Sequence, residues 1–298
     1  MTNPTDPGRA ARFAALFAVG VMLLGAVPVR ATSAIEIDAR ALVGGRYQVG
    51  GWLAVAVTLV NEGAPTDGQL VARTLSGETR RQVEMPSGAR KEVTLYVQPE
   101  AFQREVEVRY EEPNGTVRDV VEVRVLEQSS GQIAIVGDRN GTLRPQLRGD
   151  GQLLRGEPIP MAPGDIPHRP EPLAGVSAIV WAGDSTALGA EQRRGLERWI
   201  ASGGQLVVIG GPDWQTRAGG FAELLPVTDL ATVDGVSQAA LSAWAGGDAP
   251  AVPTESVSTG SLRADARALV TGDDGIILAS MRPVGAGRVV YFLSLIHI

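Results

Sequence analysis

The chain has 298 residues, a formal net charge of −6, no cysteine, and two histidines, His168 and His297. Without cysteine there is no disulfide, no thiolate zinc site and no thiol nucleophile, and two histidines leave almost nothing for a His-based metal site or catalytic triad. Lys91 is the only lysine, and the arginines are scattered among carboxylates, so no basic stripe for nucleic acid stands out. The length makes two domains the first expectation.

Residues 1–31 read as an export signal. Arg9 and Arg12 precede Phe13 to Val27, an unbroken run of apolar residues and glycine, and Val29-Arg30-Ala31 has the small-x-small form of a cleavage site. An uncleaved signal anchor is the rival reading, because the run is near the lower length for a membrane span. Removal would take three arginines and Asp6 and move the net charge from −6 to −8. The expected location is extracytoplasmic and membrane-associated.

From Ala34 to Glu127 the pattern is all strand. Ile35, Ile37, Ala39 and Ala41 alternate with Glu36, Asp38 and Arg40, and Trp52 to Val60 is a longer apolar run ending at Asn61-Glu62-Gly63. Val93, Leu95 and Val97 share one face, and Glu112-Pro113-Asn114-Gly115 is a hairpin turn. About seven short strands with turns between them predict an antiparallel β-sandwich over 32–128. The phrases VAVTLVNEG (55–63) and MPSGARKEVTLYV (85–97) resemble the immunoglobulin-like modules of bacterial surface proteins. A carbohydrate-binding sandwich is the sharper alternative. It would need an aromatic platform from Tyr47, Trp52, Tyr96, Phe102 or Tyr110, with Trp52 expected in the core.

Gln128-Ser129-Ser130-Gly131 reads as a linker, and Gln132 to Val136 as the first buried strand of a second domain, ending in Gly137-Asp138. A short helix is expected over Leu143 to Leu147, a strand over Pro158 to Met161, and a proline-rich connection over 163–172. The strongest signal is Leu173 to Gly211. Apolar Val176–Ala182 ends in Gly183-Asp184-Ser185, a helical stripe follows with Leu188, Gln192, Leu196, Trp199 and Ile200, and apolar Gln205–Ile209 ends in Gly210-Gly211. Two apolar strands joined by an amphipathic helix predict a βαβ unit with parallel strands. Phe221 to Leu225 suggests one short helix. Residues 230–262 are low in pattern, with a helix expected near Gln238 to Trp244. Ile276–Met281 and Arg288–Leu293 read as two paired strands.

GVSAIVWAGD (175–184), LGAEQRRGLERWIASGGQLVVIGG (188–211) and GAGRVVYFLS (285–294) resemble the glutamine amidotransferase-like domains of bacterial exported or membrane-anchored proteins. The resemblance implies a flavodoxin-like α/β domain with a mostly parallel sheet over 132–294, incomplete at its end, and a membrane anchor in a continuation beyond residue 294. Active class I relatives place a cysteine on the turn after the strand Gln205–Ile209. Here that turn is Gly210-Gly211-Pro212-Asp213, so glutaminase chemistry is not expected, nor is a Gly210→Cys variant expected to regain it.

Ligands of parallel sheets gather at the carboxyl ends of the strands, which makes Asp138, Asp184, Ser185, Gly210 and Gly211 the candidate crevice residues. Two such aspartates could share a proton or hold a divalent cation; the plainer expectation is that each caps a loop. Ser185 lacks a nucleophile elbow and a histidine base, and His168 lies among prolines. No motif implies a cofactor or a metal. The resulting expectation is a non-catalytic envelope protein that binds or scaffolds an envelope protein or surface polymer. The alternatives are a hydrolase using Asp138 and Asp184, or a carbohydrate-binding surface protein.

Overall fold

The computed structural model describes residues 34–113, 115–126, 131–138, 141, 143, 156–237, 239–244 and 256–293. The export segment, linker residues 127–130, all of the Leu143–Leu147 helix except Leu143, and the tail after residue 293 lie outside the described residues. The N-terminal region contains β1 (Ile35–Ala41), β2 (Arg46–Tyr47), β3 (Leu53–Asn61), β4 (Thr66–Arg73), β5 (Glu78–Met85), β6 (Arg90–Val97), β7 (Glu105–Glu112), β8 (Gly115–Glu122) and β9 (Arg124–Val125). Two antiparallel sheets, in the orders β1-β3-β6 and β5-β4-β7-β8, face each other, and β2 and β9 add a short parallel pair. This is a β-sandwich.

Its core follows the alternation of the sequence. Val93, Leu95 and Val97 from β6 meet Val106, Val108 and Tyr110 from β7, all buried, each apolar side chain contributing about 1.5–3 kcal/mol by leaving water. Two buried hydroxyls of the sandwich core are paired: that of Tyr110 donates to Val83 O at 2.9 Å, and that of Tyr47 sits 2.7 Å from Glu100 O and 2.9 Å from Gln103 O. Strand β3 breaks the alternation, with Leu53 to Val57 all buried. Leu53, Val55 and Val57 fill the sandwich core, whereas Ala54 and Ala56 belong to a second apolar cluster on the far side. Trp52 is not a core residue, contrary to expectation. It precedes β3 and is 38% exposed.

The C-terminal region contains β10 (Gln132–Val136), β11 (Glu157–Met161), β12 (Val176–Trp181), α1 (Ala190–Ala201), β13 (Gln205–Ile209), α2 (Trp214–Arg217), β14 (Val227–Val233), α3 (Ala239–Trp244), β15 (Val257–Leu262), β16 (Arg267–Thr271), β17 (Ile277–Val284) and β18 (Gly287–Phe292). The predicted βαβ unit is β12-α1-β13, with β12 and β13 parallel. Helix α1 buries Leu196, Trp199 and Ile200, and the Trp199 indole N–H donates to Leu173 O at 3.1 Å.

The flavodoxin-like α/β domain with a mostly parallel sheet does not form. The sheet is mixed, in the order β11-β10-β12-β13-β18-β17-β16, with β18-β17 and β17-β16 antiparallel. A doubly wound fold needs crossover helices on both faces. Among the described residues α1 has 12 residues, α2 four and α3 six. The β11–β12 connection consists of the 3₁₀ turns Pro163–Asp165 and Glu171–Leu173, because prolines remove the donors that a longer helix requires. β14 and β15 pair with each other outside the main sheet, where little pattern was read. Residues 219–221 form a 3₁₀ turn in place of the expected Phe221–Leu225 helix. The amidotransferase resemblance falls with the fold: its phrases at 175–184 and 188–211 together encode one βαβ crossover, and nothing in that crossover obliges the remaining strands to follow it.

Edge strand β11 carries Pro158 and Pro160. Its inward bonds come from the other parity, Glu157 N–H to Gly131 O at 3.0 Å and Gly137 N–H to Met161 O at 3.1 Å, so both prolines occupy positions facing away from the sheet.

The two regions share apolar surface. Leu42, Val43, Ala54 and Ala56 of the sandwich lie in one buried cluster with Ile159, Met161, Ile166 and Leu173. Ion pairs surround it: Arg46 grips Glu157 through two nitrogens, one at 2.6 Å, and Arg40 pairs with Asp165. Alanine at 54 and 56 is what lets a second layer lie against β3.

Candidate functional site

At the carboxyl ends of the parallel strands, Gly137 and Gly183 bring β10 and β12 together. Gly137 has φ +80, and a Cβ on it would lie 2.2 Å from Gly183 Cα. Asp138 and Asp184 therefore follow adjoining backbones. Their carboxylates hold loops. Asp138 accepts the Leu143 N–H at 3.0 Å, and Asp184 accepts the Thr186 N–H at 2.8 Å and its hydroxyl at 2.6 Å.

Ser185 is fully buried. Its hydroxyl donates to Thr216 O at 2.8 Å and accepts the Gly220 N–H at 2.8 Å, while its own N–H donates to Thr216 O at 2.9 Å. The side chain ties the loop after β12 to the segment after β13.

Gly210 and Gly211 line a small buried polar knot. The Gly210 N–H donates to Phe292 O at 2.7 Å, and the Gly211 N–H to Ser258 Oγ at 3.0 Å. Ser258 Oγ is 2.5 Å from Tyr291 Oη, and both residues are buried. Burial pushes the Tyr291 pKa up to about 12, with the Ser258 hydrogen bond pulling the other way. A Cβ at 210 would lie 2.4 Å from both hydroxyls, so only glycine fits. Ser258 and Tyr291 were missed in the sequence. Ser258 lies in the low-pattern stretch, and Tyr291 is hidden in the apolar run of β18.

A second site lies between the two regions. Arg81, Glu92, Thr94 and Tyr96 from the sandwich, His168 and Arg169 from the loop before β12, and Glu191, Arg194 and Arg198 from α1 line a cleft of about 420 Å³. Glu92, Thr94 and Tyr96 lie on the opposite face of β6 from its core residues, so strand alternation aims them here. Residues 191, 194 and 198 share a helix face at spacings of three and four. Gly195 lets the loop lie on α1, since a Cβ there would be 2.7 Å from His168 O.

The Arg169 guanidinium stacks over the Tyr96 ring at 4.6 Å. The Tyr96 hydroxyl is buried and makes no hydrogen bond of normal geometry among the described residues. Burial raises its pKa, the N–H groups of His168 and Arg169 pulling the other way. Glu191 lies 3.6 Å from His168 Nδ1 and 3.7 Å from Arg194. Among the described residues Arg81, Arg169 and Arg198 have no carboxylate within ion-pair reach. Of this cluster the sequence reading named only Tyr96, as an aromatic candidate, and His168; its arginines come from three separate stretches.

A third feature is the sandwich end carrying Phe102, 89% exposed with φ +71, and Trp52. A cavity of about 600 Å³ opens beside Phe102, between residues 102–105 and 122–125.

A family model described as "Domain of unknown function (DUF8726)" matches residues 34–129, the sandwich. No curated protein matches the chain. Among solved structures, the chain is similar to the exo-β-1,4-mannosidase Op5Man5 from Opitutaceae bacterium strain TAV5, at 16% identity over 55% of this chain and 31% of that one, with a TM-score of 0.35. It is also similar to the sporulation control protein Spo0M from Bacillus subtilis, at 13% identity over 33% of this chain and 51% of that one, TM-score 0.24. A β-glucosidase from Listeria innocua matches at 18% identity over 30% of this chain and 16% of that one, TM-score 0.22. The chain spans less than two thirds of each of these proteins. Similarity at these scores carries no argument about function.

Proposed function

We propose that the chain is an exported, non-catalytic binding and scaffolding protein of the cell envelope, with an immunoglobulin-like sandwich as its N-terminal module. The observation that supports this reading is the use made of the polar groups at the strand ends: Ser185 and the Gly211–Ser258–Tyr291 knot tie one segment to another, and Asp184 and Asp138 each accept from their own loop. A nucleophile needs a free lone pair facing substrate and a base to take its proton, and the Ser185 hydroxyl already donates to one loop and accepts from it. The test has two arms. N-terminal sequencing of the protein from the membrane and secreted fractions should find a start near Ala31; protein recovered from the cytosol beginning at Met1 would refute export. The purified protein should not turn over ester, amide or glycoside substrates. Turnover lost in Asp138→Asn or Asp184→Asn would replace this reading with the carboxylate hydrolase.

A second reading, a carbohydrate-binding sandwich, draws support from the exposure of Phe102 and Trp52 on loops of the sandwich. Retention of the protein on insoluble polysaccharide, lost in Phe102→Ala, would favour it.

A further inference from the structure

We propose that the cleft between β6 and α1 binds a ligand carrying two or more oxyanion groups, carboxylate or phosphate, with Arg81, Arg169 and Arg198 as its charge partners. The inference does not depend on whether the chain is catalytic. Four guanidinium groups converge on the cleft against two carboxylates, in a chain whose net charge is −6. Like charges so gathered repel, and Arg194 and Arg198 sit one helical turn apart, a spacing that disfavours two cations. The neighbouring acids offset only Arg194, which lies 3.7 Å from Glu191, while Glu92 lies 3.5 Å from Arg40 outside the cleft.

The geometry suits an anion from outside. A guanidinium presents a planar fork of donors that matches carboxylate and phosphate oxygens two at a time. Arg169 is held in place by its stack on Tyr96, so part of its ordering cost is met before any ligand arrives. Arg81 reaches in from the sandwich and Arg198 from α1, on opposite walls. Charges repeated along one molecule can be met from the sandwich and from α1 at once. The volume, about 420 Å³, falls in the range of small-molecule sites.

The experiment is calorimetric titration of the purified chain with two probes, inorganic tripolyphosphate and a galacturonate trimer, at low and at physiological salt. Saturable binding of one ligand per chain by either probe supports the site, and the probe that binds more tightly identifies the source as phosphate or uronate. The Arg81→Gln/Arg198→Gln double variant should bind at least tenfold more weakly with an unchanged melting temperature. Arg267→Gln, an exposed arginine on β16 remote from the cleft in sequence and sheet, should bind as the parent does. Tyr96→Leu, which removes the ring under Arg169, serves as a second variant and should weaken binding severalfold. No binding of either probe at low salt, or an equal loss in Arg267→Gln, would overturn the proposal.

Discussion

Ser258 and Tyr291 show what a buried hydroxyl pair does when water cannot reach it. Replacing Ser258 by alanine leaves the Gly211 N–H without its partner and the Tyr291 hydroxyl with only the longer bond to Ser258 O at 3.3 Å. Each stranded group carries a desolvation penalty, so Ser258→Ala should destabilise the protein by about 1–3 kcal/mol, read from denaturant melts. The same knot predicts an alkaline limit. Tyr291 has its pKa raised to about 12 in the folded state from 10.0, the ordinary value. The folded state therefore keeps its proton where the unfolded chain has lost it. That contribution is complete below pH 10 and is lost as pH rises through about 12. Tyr291→Phe should flatten the fall in stability over that window; an unchanged slope would show that other groups set it. Little of this was legible beforehand. Sequence placed Asp138, Asp184 and Ser185 correctly at strand ends, but strand ends are also where loops need acceptors, and only three-dimensional partners tell the two uses apart.

At the scale of single elements, α1 offers a direct contest between propensity and packing. Gly195 lies inside the helix, where alanine would ordinarily add about 1 kcal/mol. A Cβ at that position would stand 2.7 Å from His168 O and 2.8 Å from Pro167 O, both backbone atoms. Backbone gives way less readily than a side chain, so packing wins, and Gly195→Ala should lower the melting temperature. A rise would mean that the loop over α1 yields easily. The helix and its flanking strands were readable because a 3.6-residue stripe between two apolar runs has one common solution. β14 and β15 were not. Their apolar residues are interspersed with Thr, Ser, Asp and Gly, only the first residue of β14 and the first two of β15 are buried, and the strands pair across 23 intervening residues from Asp234 to Ser256. The error over the second domain came from extending one well-read crossover to its neighbours. Prolines 163, 167, 170 and 172 were visible, and they were the local reason that no second crossover helix could form there.

For the molecule as a whole, the shared apolar cluster decides how separable the two regions are. The sandwich has its own complete core, with Val55, Val57, Leu70, Val106 and Tyr110 all buried within it. Residues 32–128 expressed alone should therefore fold with a cooperative melt. Separation also uncovers Leu42, Val43, Ala54 and Ala56, an exposed patch of the kind that drives association. The fragment should melt below the full chain and self-associate on size exclusion, and charged replacement at Ala54 should restore a monomer. A fragment that shows no cooperative transition would mean that the sandwich needs its neighbour to fold. This dependence was hinted at in the sequence by the uninterrupted apolar run of β3, which says that both faces are covered without saying by what.

The prolines on β11 have a consequence for life in a crowded compartment. A sheet edge with free N–H groups is a template on which neighbouring chains can polymerise. Pro158 and Pro160 occupy the outward positions of this edge and have no N–H to give. The opposite edge, β16, pairs with β17 through two register shifts, so it is irregular as well. A protein without disulfides thus keeps both margins of this sheet poorly suited to seed a fibril.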